Sequence, residues 1–316
     1  MSAVLVTGAD GFVGRTLNAA LLASGHQVRA ASRRGQPLAG CESVAIGDSA
    51  AEVDWRPALA GIDTVVHLAA RAHVLRDADA DPLASYRRVN VTASGNLARA
   101  AASAGVKRLV FLSSIKVNGE RTLAAPFTEA DPPRPIDAYG RSKQEAEALL
   151  RDVATMTGLE TVIVRAPLVY GPGVRANFLR LLGLVERGLP LPLAAIANRR
   201  SMIFVGNLAD ALTRCVEHPH AAGETFLVAD GEDLSTPDLV RLVAAEMGVK
   251  ARLFACPPGL LRLAATLLGK GEEAARLMDS LTLDPSHIHA RLAWRPPLSV
   301  REGIAATVRW YRARPR

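Results

Sequence analysis

The sequence predicts an α/β protein built on a doubly wound parallel sheet. Through the first half of the 316 residues, short apolar runs alternate with longer stretches of helical periodicity, an order typical of βαβ units. A glycine-rich segment from Thr7 to Gly14 follows the first apolar run and precedes a helical pattern. Ligands of such sheets lie beyond the carboxyl ends of the strands. We therefore expect the functional residues in the connections that follow the strands.

The strands are predicted from short runs rich in valine, isoleucine and leucine, each too short for a helix. Between these runs, helical patterns begin at about Val13, extend over Tyr86–Ala104 and begin again at Ser142. The predicted strands of the series are Val4–Thr7, Gln27–Ala31, Ser43–Ile46, Thr64–Leu68, Arg108–Ser113 and Glu160–Arg165.

The alternation of strands and helices ends after Pro167. Proline- and glycine-rich connections at Gly171–Gly173 and Gly188–Pro192 predict excursions out of the sheet. Ile203–Val205 and Glu224–Val228 are predicted strands that return to it, and the C-terminal part of the chain is mostly helical. We therefore predict a main domain at residues 1–166, rejoined by residues from about 200 to 230, and a smaller, mostly helical substrate lobe at 167–199 and 231–316.

Composition excludes several classes of function. The formal net charge is +7 and aromatic residues form 4% of the chain, but no basic tract is interleaved with aromatics, so nucleic-acid binding is not predicted. The apolar stretch between Leu253 and Leu268 contains two prolines and an arginine and is too short for a bilayer span. Three widely separated cysteines fit a reducing compartment without disulfides. We expect a cytoplasmic protein without a membrane span.

Gly8, Gly11 and Gly14 follow a strand and open a helix, with GxxGxxG spacing. Glycines at these points let the backbone approach a pyrophosphate, and the N-terminus of the helix favours an anion. The segment therefore predicts a dinucleotide site, with cofactor contacts at Gly8, Asp10, Gly11, Phe12, Val13 and Gly14.

The end of the second strand predicts which dinucleotide is bound. An acidic residue usually stands there and binds the ribose hydroxyls of NAD, whereas this chain has Ser32, Arg33 and Arg34. A hydroxyl and two guanidinium groups favour a 2′-phosphate, so NADP(H) is preferred and NAD(H) remains possible, since the arginines are alternatively loop residues. Asp48 is placed to bind the adenine together with Ser49, or to cap a following helix.

Tyr139 and Lys143 stand four residues apart, so in a helix they project from the same face. An ammonium near a tyrosine favours the tyrosinate, which makes Tyr139 a usable acid or base near neutral pH. Ser114 ends an upstream strand and is placed to hold the reacting oxygen. The three residues predict a redox enzyme with Ser114, Tyr139 and Lys143 as its catalytic group.

These motifs resemble those of the extended short-chain dehydrogenase/reductases that act on nucleotide sugars, the NAD-dependent epimerase/dehydratase family. The resemblance rests on the glycine segment, on Ser114 and Tyr139 with their separation, and on further motifs that reach the C-terminus: His67–Ala70, Arg165–Pro172, Asn207–Asp210 and Leu292–Ser299. It implies a Rossmann fold, a UDP-sugar substrate and a homodimer. Ser114 would bind the sugar oxygen, and Tyr139 would move its proton.

The resemblance also assigns residues outside the catalytic group. Lys143 would bind the nicotinamide ribose and lower the pKa of Tyr139, and Tyr139 itself would contact the cofactor. Lys116 is alternatively a solvated loop lysine, and His67 is expected to be a core histidine. Further cofactor contacts are implied at Leu68, Ala69, Ala70 and Pro167, and substrate contacts at His73, Ser114, Ile115, Lys116, Asn177 and Arg200.

The residues near Ser114 separate the chemistries of the family. Ile115 and Lys116 stand where nucleotide-sugar 4,6-dehydratases have acids, and no cysteine lies close enough for 3,5-epimerisation. Two oxidoreductive reactions remain. We favour NADPH-dependent reduction of a UDP-4-keto-6-deoxy sugar for O-antigen or other polysaccharide precursors, because of Ser32, Arg33 and Arg34. The alternatives are a UDP-hexose 4-epimerase with bound NAD and, remotely, a non-catalytic NADP-binding sensor.

Overall fold

The computed structural model describes residues 1–48, 53–72 and 81–314. Within these ranges seven parallel strands form one sheet in the order β3-β2-β1-β4-β5-β6-β9, and a separate parallel pair is formed by β7 and β8. The predicted doubly wound sheet is thus confirmed. The strands are β1 Ala3–Thr7, β2 Gln27–Ser32, β3 Glu42–Ala45, β4 Thr64–His67, β5 Arg108–Ser114, β6 Glu160–Ala166, β7 Leu168–Tyr170, β8 Met202–Phe204 and β9 Thr225–Leu227.

Helices connect the strands and cover both faces of the sheet. A π-turn, Arg88–Thr92, joins the third helix to the fourth. The helices are α1 Phe12–Ala23, α2 Arg56–Leu59, α3 Pro82–Arg87, α4 Ala93–Ser103, α5 Ala138–Thr157, α6 Ala176–Glu186, α7 Val205–Glu217, α8 Thr236–Glu246, α9 Pro258–Leu267, α10 Gly271–Met278, α11 Ser286–Leu292 and α12 Val300–Arg312.

Each face of the sheet has its own hydrophobic core. Alternate residues of β1 point to opposite faces: Val4 and Val6 join the core that contains α1 and α7, and Leu5 joins the core that contains α4 and α5. Strands covered on both faces are apolar throughout. This explains why the strands appear in the sequence as continuous apolar runs.

The C-terminal lobe has a third core, formed by β7, β8, α6, α8 and α12. Its centre is an aromatic group in which the ring of Tyr170 stacks on Phe178 at 5.6 Å and lies 5.8 Å from Phe204. Phe12 and Val13 of α1 pack against this core. The lobe therefore meets the main sheet at the N-terminus of α1, beside the glycine segment.

Two features of the fold differ from prediction. Ile203–Val205 was expected to return to the main sheet, but β8 pairs with β7. In the folded protein the outer edge of β6 is paired with β9 and so offers no place for β8. The helix expected from Ser142 begins at Ala138. Its N-cap is Asp137, whose Oδ1 accepts a hydrogen bond from the backbone N–H of Gly140 at 2.7 Å.

Candidate active site

The glycine segment forms a tight turn between β1 and α1. Gly8 has φ +67°, and a Cβ at that position would lie 3.0 Å from the backbone N of Ala69. A Cβ at Gly14 would lie 2.3 Å from the carbonyl oxygen of Gly8. Gly11 is the N-cap of α1 and supplies no side-chain cap, so the N–H groups of the first turn remain available to an anion. The backbone therefore forms a cradle suited to a pyrophosphate.

Other residues that were predicted to contact the cofactor border this cradle. The backbone N of Leu68 donates to Thr7 O, and that of Ala69 donates to the Thr7 hydroxyl, both at 3.3 Å. Ala70 continues the segment half-buried, and Pro167 is buried after the end of β6. The carbonyl of Asp10 accepts a hydrogen bond from Arg15, and the side chains of Phe12 and Val13 turn towards the lobe core.

The end of β2 offers an unpartnered polar atom beside the cradle. Ser32 is 3% exposed, and its Oγ has no hydrogen-bond partner among the described residues. β2 pairs with β1, and Ala9 N donates to Ala31 O at 3.2 Å, so this hydroxyl lies near the glycine turn. A buried hydroxyl without a protein partner is suited to a ligand. The cradle and this hydroxyl together fit a dinucleotide.

Several other predicted cofactor residues lie at the surface or outside the described residues. Arg33 and Arg34 follow Ser32 and are exposed, as is Asp48 beyond the end of β3. Ser49 and the predicted substrate residue His73 lie outside the described residues.

Ser114, Tyr139 and Lys143 converge at the carboxyl end of β5. Ser114 ends that strand and Tyr139 is the second residue of α5, and Ser114 is close enough to act on the pKa of Tyr139. Lys143 is 2% exposed; its Nζ donates to Leu112 O at 2.8 Å and lies 4.2 Å from the centre of the Phe111 ring. The arrangement sets two hydroxyls side by side with a buried amine one helical turn behind.

The electrostatics of Tyr139 differ from the expectation that Lys143 lowers its pKa. Burial raises the pKa of Tyr139, the charge of Asp137 adds to that rise, and the hydrogen bond from Ser114 opposes it. Burial also lowers the pKa of Lys143 to about 7, against the opposing effect of the Glu147 carboxylate. The predicted lowering of the tyrosine pKa is not found, because desolvation outweighs the favourable contacts.

A buried ion pair, which the sequence did not reveal, lies behind the catalytic group. Glu147 is 1% exposed and accepts hydrogen bonds from Arg165 Nε at 3.0 Å, Arg165 Nη2 at 2.6 Å and Ser113 Oγ at 2.6 Å. Arg165 Nη1 also donates to Asn118 Oδ1 at 2.9 Å. The network joins α5 to β5 and β6. The only signal for it was the position of Glu147, one helical turn after Lys143.

Two predicted substrate contacts have other partners. Ile115 is 3% exposed and packs in a small core with Leu227 and Leu281. Lys116 Nζ donates to Glu120 Oε1 at 3.0 Å and to Asp137 Oδ2. The substrate contacts of both residues stay predictions. Lys116 binds the carboxylate that caps α5, and Ile115 anchors the turn after β5.

Arg200 lies in a charged cluster that reaches from the lobe towards Lys116. Its Nη1 donates to Asp279 O at 2.9 Å. Burial lowers the pKa of Arg200, whereas Asp279 and Glu120 raise it. The Glu120 carboxylate thus accepts a hydrogen bond from Lys116 and its charge acts on the pKa of Arg200, and sequence reasoning did not identify it. Asn177, the second residue of α6, is exposed.

Buried polar side chains fix the segment after β4. Asn90, in the π-turn, donates to Arg71 O at 3.1 Å and to Ser142 Oγ at 2.9 Å, and so ties this segment to α5. His67 is 3% exposed and hydrogen-bonds Thr7 Oγ1 at 2.6 Å and Ser94 Oγ at 2.8 Å. Burial lowers the pKa of His67 to about 3. His67 is thus a neutral core histidine, as expected.

In the part of the chain that the structure describes, no group of three histidine, cysteine or acidic side chains could hold a metal ion. Across the same residues, no helix is both long and apolar enough to cross a membrane. The three cysteines are free thiols.

Residues 4–229 match the family model described as the NAD dependent epimerase/dehydratase family. The chain belongs to this family. Among its relatives, the UDP-glucose 4-epimerase of Vibrio cholerae is 42% identical over 96% of this chain and 94% of its own. The UDP-glucose 4-epimerase of Mycolicibacterium smegmatis is 30% identical over 98% of both chains.

A solved structure with bound UDP-glucuronic acid and NAD has a similar fold. MoeE5 in complex with UDP-glucuronic acid and NAD superposes with a TM-score of 0.80 and 29% identity over 98% of this chain and 99% of that one. It holds NAD. The preference for NADP predicted from Ser32, Arg33 and Arg34 receives no support from this neighbour.

Proposed function

We propose that the chain is an NAD-dependent 4-epimerase of UDP-linked hexoses such as UDP-glucose or UDP-GlcNAc. The observation that carries the proposal is the 42% identity to the UDP-glucose 4-epimerase of Vibrio cholerae over 96% of this chain. This is the alternative that the sequence left open, and we now favour it over the NADPH-dependent 4-reductase. The reductase hypothesis rested on Ser32, Arg33 and Arg34, of which Arg33 and Arg34 are exposed arginines in an arginine-rich chain.

The residues that would hold the dinucleotide are those of the cradle. N–H groups at the start of α1 would face the pyrophosphate, and the free Ser32 hydroxyl would face the adenine ribose. Lys143 would face the nicotinamide ribose. Bound NAD would supply the hydride acceptor at C4 of the sugar and return the hydride to the opposite face of the same carbon.

The catalytic residues would handle the proton of the C4 oxygen. Ser114 would hold that oxygen through its hydroxyl, and Tyr139 would accept the 4-hydroxyl proton and later return it. Because the pKa of Tyr139 is raised by burial, its tyrosinate is a strong base once formed. A ligand that brings positive charge near Tyr139 would lower this pKa and adjust it to the reaction.

The charged cluster of Arg200, Glu120 and Lys116 would border the substrate side of the site. A guanidinium suits a diphosphate geometrically, and Arg200 is half-buried at the lobe. Asn177, exposed at the start of α6, would be a second contact to the nucleotide diphosphate. UDP would therefore lie between the lobe and the main sheet, with the hexose towards Ser114 and Tyr139.

Product analysis with a soluble substrate tests the proposal. Purified protein with UDP-glucose and a small amount of NAD should form UDP-galactose without net change in NADH absorbance, and UDP-GlcNAc should be tested in parallel. The Tyr139→Phe variant is the matched control for contaminating epimerase. Stoichiometric oxidation of NADPH with a UDP-4-keto-6-deoxy sugar, without interconversion of the hexoses, would overturn the epimerase and restore the reductase.

We also propose a cytoplasmic homodimer that serves polysaccharide precursor synthesis. Free thiols in all three cysteines support a reducing compartment. Sedimentation equilibrium of the purified protein tests the homodimer, and a concentration-independent monomer would contradict it.

A further inference from the structure

Helix α9 presents an apolar face that nothing in the described chain covers. None of its residues is buried. Leu260, Leu263 and Leu267 are spaced by three and four residues, so they project from one side of the helix, and Leu268 follows directly. Their exposed fractions are 58%, 58%, 79% and 73%. We call these four residues the leucine face.

Basic residues stand on both sides of α9 in the sequence. Residues 247–271 contain four basic residues and no acidic one, whereas Glu246 precedes this range and Glu272 and Glu273 follow it. Lys250, Arg252 and Lys270 are exposed and form no ion pair with any described residue, whereas Arg262 pairs with Asp279 at 2.6 Å. Along the chain, Lys250 and Arg252 therefore precede the leucine face and Lys270 follows it, each exposed.

The exposed leucines and the nearby basic residues together indicate what binds to this surface. A helix with leucines on one side and lysine or arginine around it lies in the plane of a bilayer surface, with the leucines among the acyl chains and the cations at anionic headgroups. A second copy of the chain is disfavoured. A two-fold contact would set this basic segment against itself, and like charges would face each other.

We propose that α9 docks the protein on an anionic lipid surface. The helix has ten residues, far too few to span a bilayer, so the contact is peripheral. The proposal rests on this surface and not on the proposed epimerase activity.

Docking would orient the lobe that carries the predicted substrate contacts. α10 packs beside α9, and three polar side chains fasten its end to the lobe. Asn198 Nδ2 and Thr236 Oγ1 donate to Leu277 O at 3.1 and 2.6 Å, and Arg200 Nη1 donates to Asp279 O at 2.9 Å. A docked α9 would therefore hold Arg200 and its charged cluster at a defined position relative to the lipid surface.

Vesicle sedimentation of the full-length protein tests the proposal. The protein should sediment with vesicles of equal parts phosphatidylcholine and phosphatidylglycerol, bind vesicles of phosphatidylcholine alone at least tenfold more weakly, and dissociate as salt is raised. The double variant Leu263→Glu, Leu267→Glu should lose at least tenfold in affinity. The triple variant Lys250→Gln, Arg252→Gln, Lys270→Gln should lose the preference for anionic vesicles.

A matched control separates the leucine face from exposed apolar residues in general. Met156, at the end of α5, is 83% exposed, and Met156→Glu should bind vesicles like the unaltered protein. All variants change surface residues and should keep the circular dichroism spectrum and the turnover of soluble UDP-hexose, so failure of the epimerase proposal would be seen separately.

Three results would overturn the proposal. The first is absence of binding to anionic vesicles, and the second is equal binding by the leucine double variant. The third is a concentration-dependent dimer that Leu263→Glu abolishes in the absence of lipid, which would assign the leucine face to a second copy of the chain.

Discussion

Tyr139 stands among groups that favour its protonated form, namely a desolvated pocket and the carboxylate of Asp137. Replacing it with phenylalanine keeps the ring and its edge-on contact with Tyr86, whose centroid lies 6.1 Å away, but removes the proton-transferring oxygen. We expect Tyr139→Phe to slow hexose interconversion by about two to four orders of magnitude and to leave NAD affinity nearly unchanged. Steady-state kinetics and calorimetric titration with NAD measure the two quantities. Turnover close to that of the unaltered enzyme would remove Tyr139 from the proton transfer.

Lys143 gives the stability of the protein a pH dependence of known sign. Its pKa falls from 10.5 to about 7 on burial, so between these values the unfolded chain binds more protons and the free energy of unfolding rises with pH. Relative to Lys143→Met, the unaltered protein should gain at most about 5 kcal/mol across this window. Urea denaturation at pH 7, 8, 9 and 10 measures the difference between the two proteins, which cancels other titrating groups. A flat difference would show that Lys143 is solvated.

The Glu147–Arg165 pair should contribute to stability through charge balance. Glu147→Gln leaves the Arg165 guanidinium, 3% exposed, without a counter-ion, and we expect it to lower the free energy of unfolding by about 3 kcal/mol. The double variant Glu147→Gln, Arg165→Met should recover most of this loss. Arg151→Gln is the control, because the Arg151 side chain is 49% exposed although it also contacts Glu147. Urea denaturation compares the four proteins. Equal loss in the single and double variants would contradict the charge-balance explanation.

At the scale of elements, the N-terminus of α5 decides where Tyr139 lies. Asp137 caps the helix two residues before the tyrosine and is itself held by Lys116. Lys116 therefore supports the N-terminus of α5 through the capping carboxylate.

Two variants separate the effect of the Asp137 charge from that of its capping hydrogen bond to Gly140. Asp137→Asn keeps an acceptor for the backbone N–H of Gly140 but removes the carboxylate that raises the pKa of Tyr139. A lower tyrosine pKa makes the base available at lower pH, so the rising limb of the pH–kcat/KM profile should move to lower pH. Asp137→Ala loses the cap as well and should destabilise the protein by about 1 kcal/mol. If the rising limb of the pH–kcat/KM profile stays in place in Asp137→Asn, the carboxylate does not act on Tyr139.

At the scale of the whole molecule, buried polar side chains join the lobe to the sheet. Asn207, on α7, is fully buried; its Nδ2 donates to Asp230 Oδ1 at 2.8 Å and to Leu298 O at 2.7 Å, and its Oδ1 accepts from Leu298 N at 3.0 Å. Asn207→Ala would leave two backbone groups unsatisfied, and we expect a loss of about 3 kcal/mol in the free energy of unfolding. Asn96→Ala, at an exposed site on α4, should change it by less than about 0.5 kcal/mol. Similar losses in both variants would contradict a specific role for Asn207.

Local patterns predicted the sheet and the position of the catalytic group. Ser114 ends a strand, the glycine segment begins directly after one, and Tyr139 and Lys143 are one helical turn apart, so chain-local signals suffice for them. The pairing of β7 with β8 depends on contacts between distant segments. The charged cluster of Arg200, Glu120 and Lys116 also depends on contacts between distant segments. The ion pairs of Lys116 with Glu120 and Asp137, and the packing of Ile115 in a small core, likewise depend on neighbouring elements.

Strand β9 is the last strand of the main sheet to be synthesised, so the sheet is completed late. The first six strands of the sheet emerge from the ribosome as one continuous stretch, but β9 follows only after β7, α6, β8 and α7. Until then the hydrogen-bonding groups along the outer side of β6 have no strand to pair with. When Thr225–Leu227 arrives it closes that side, and its own far edge is met by Glu129, whose Oε1 accepts the backbone N–H of Leu227 at 2.7 Å. A chain truncated before Thr225 would therefore expose a strand edge open to pairing with other chains.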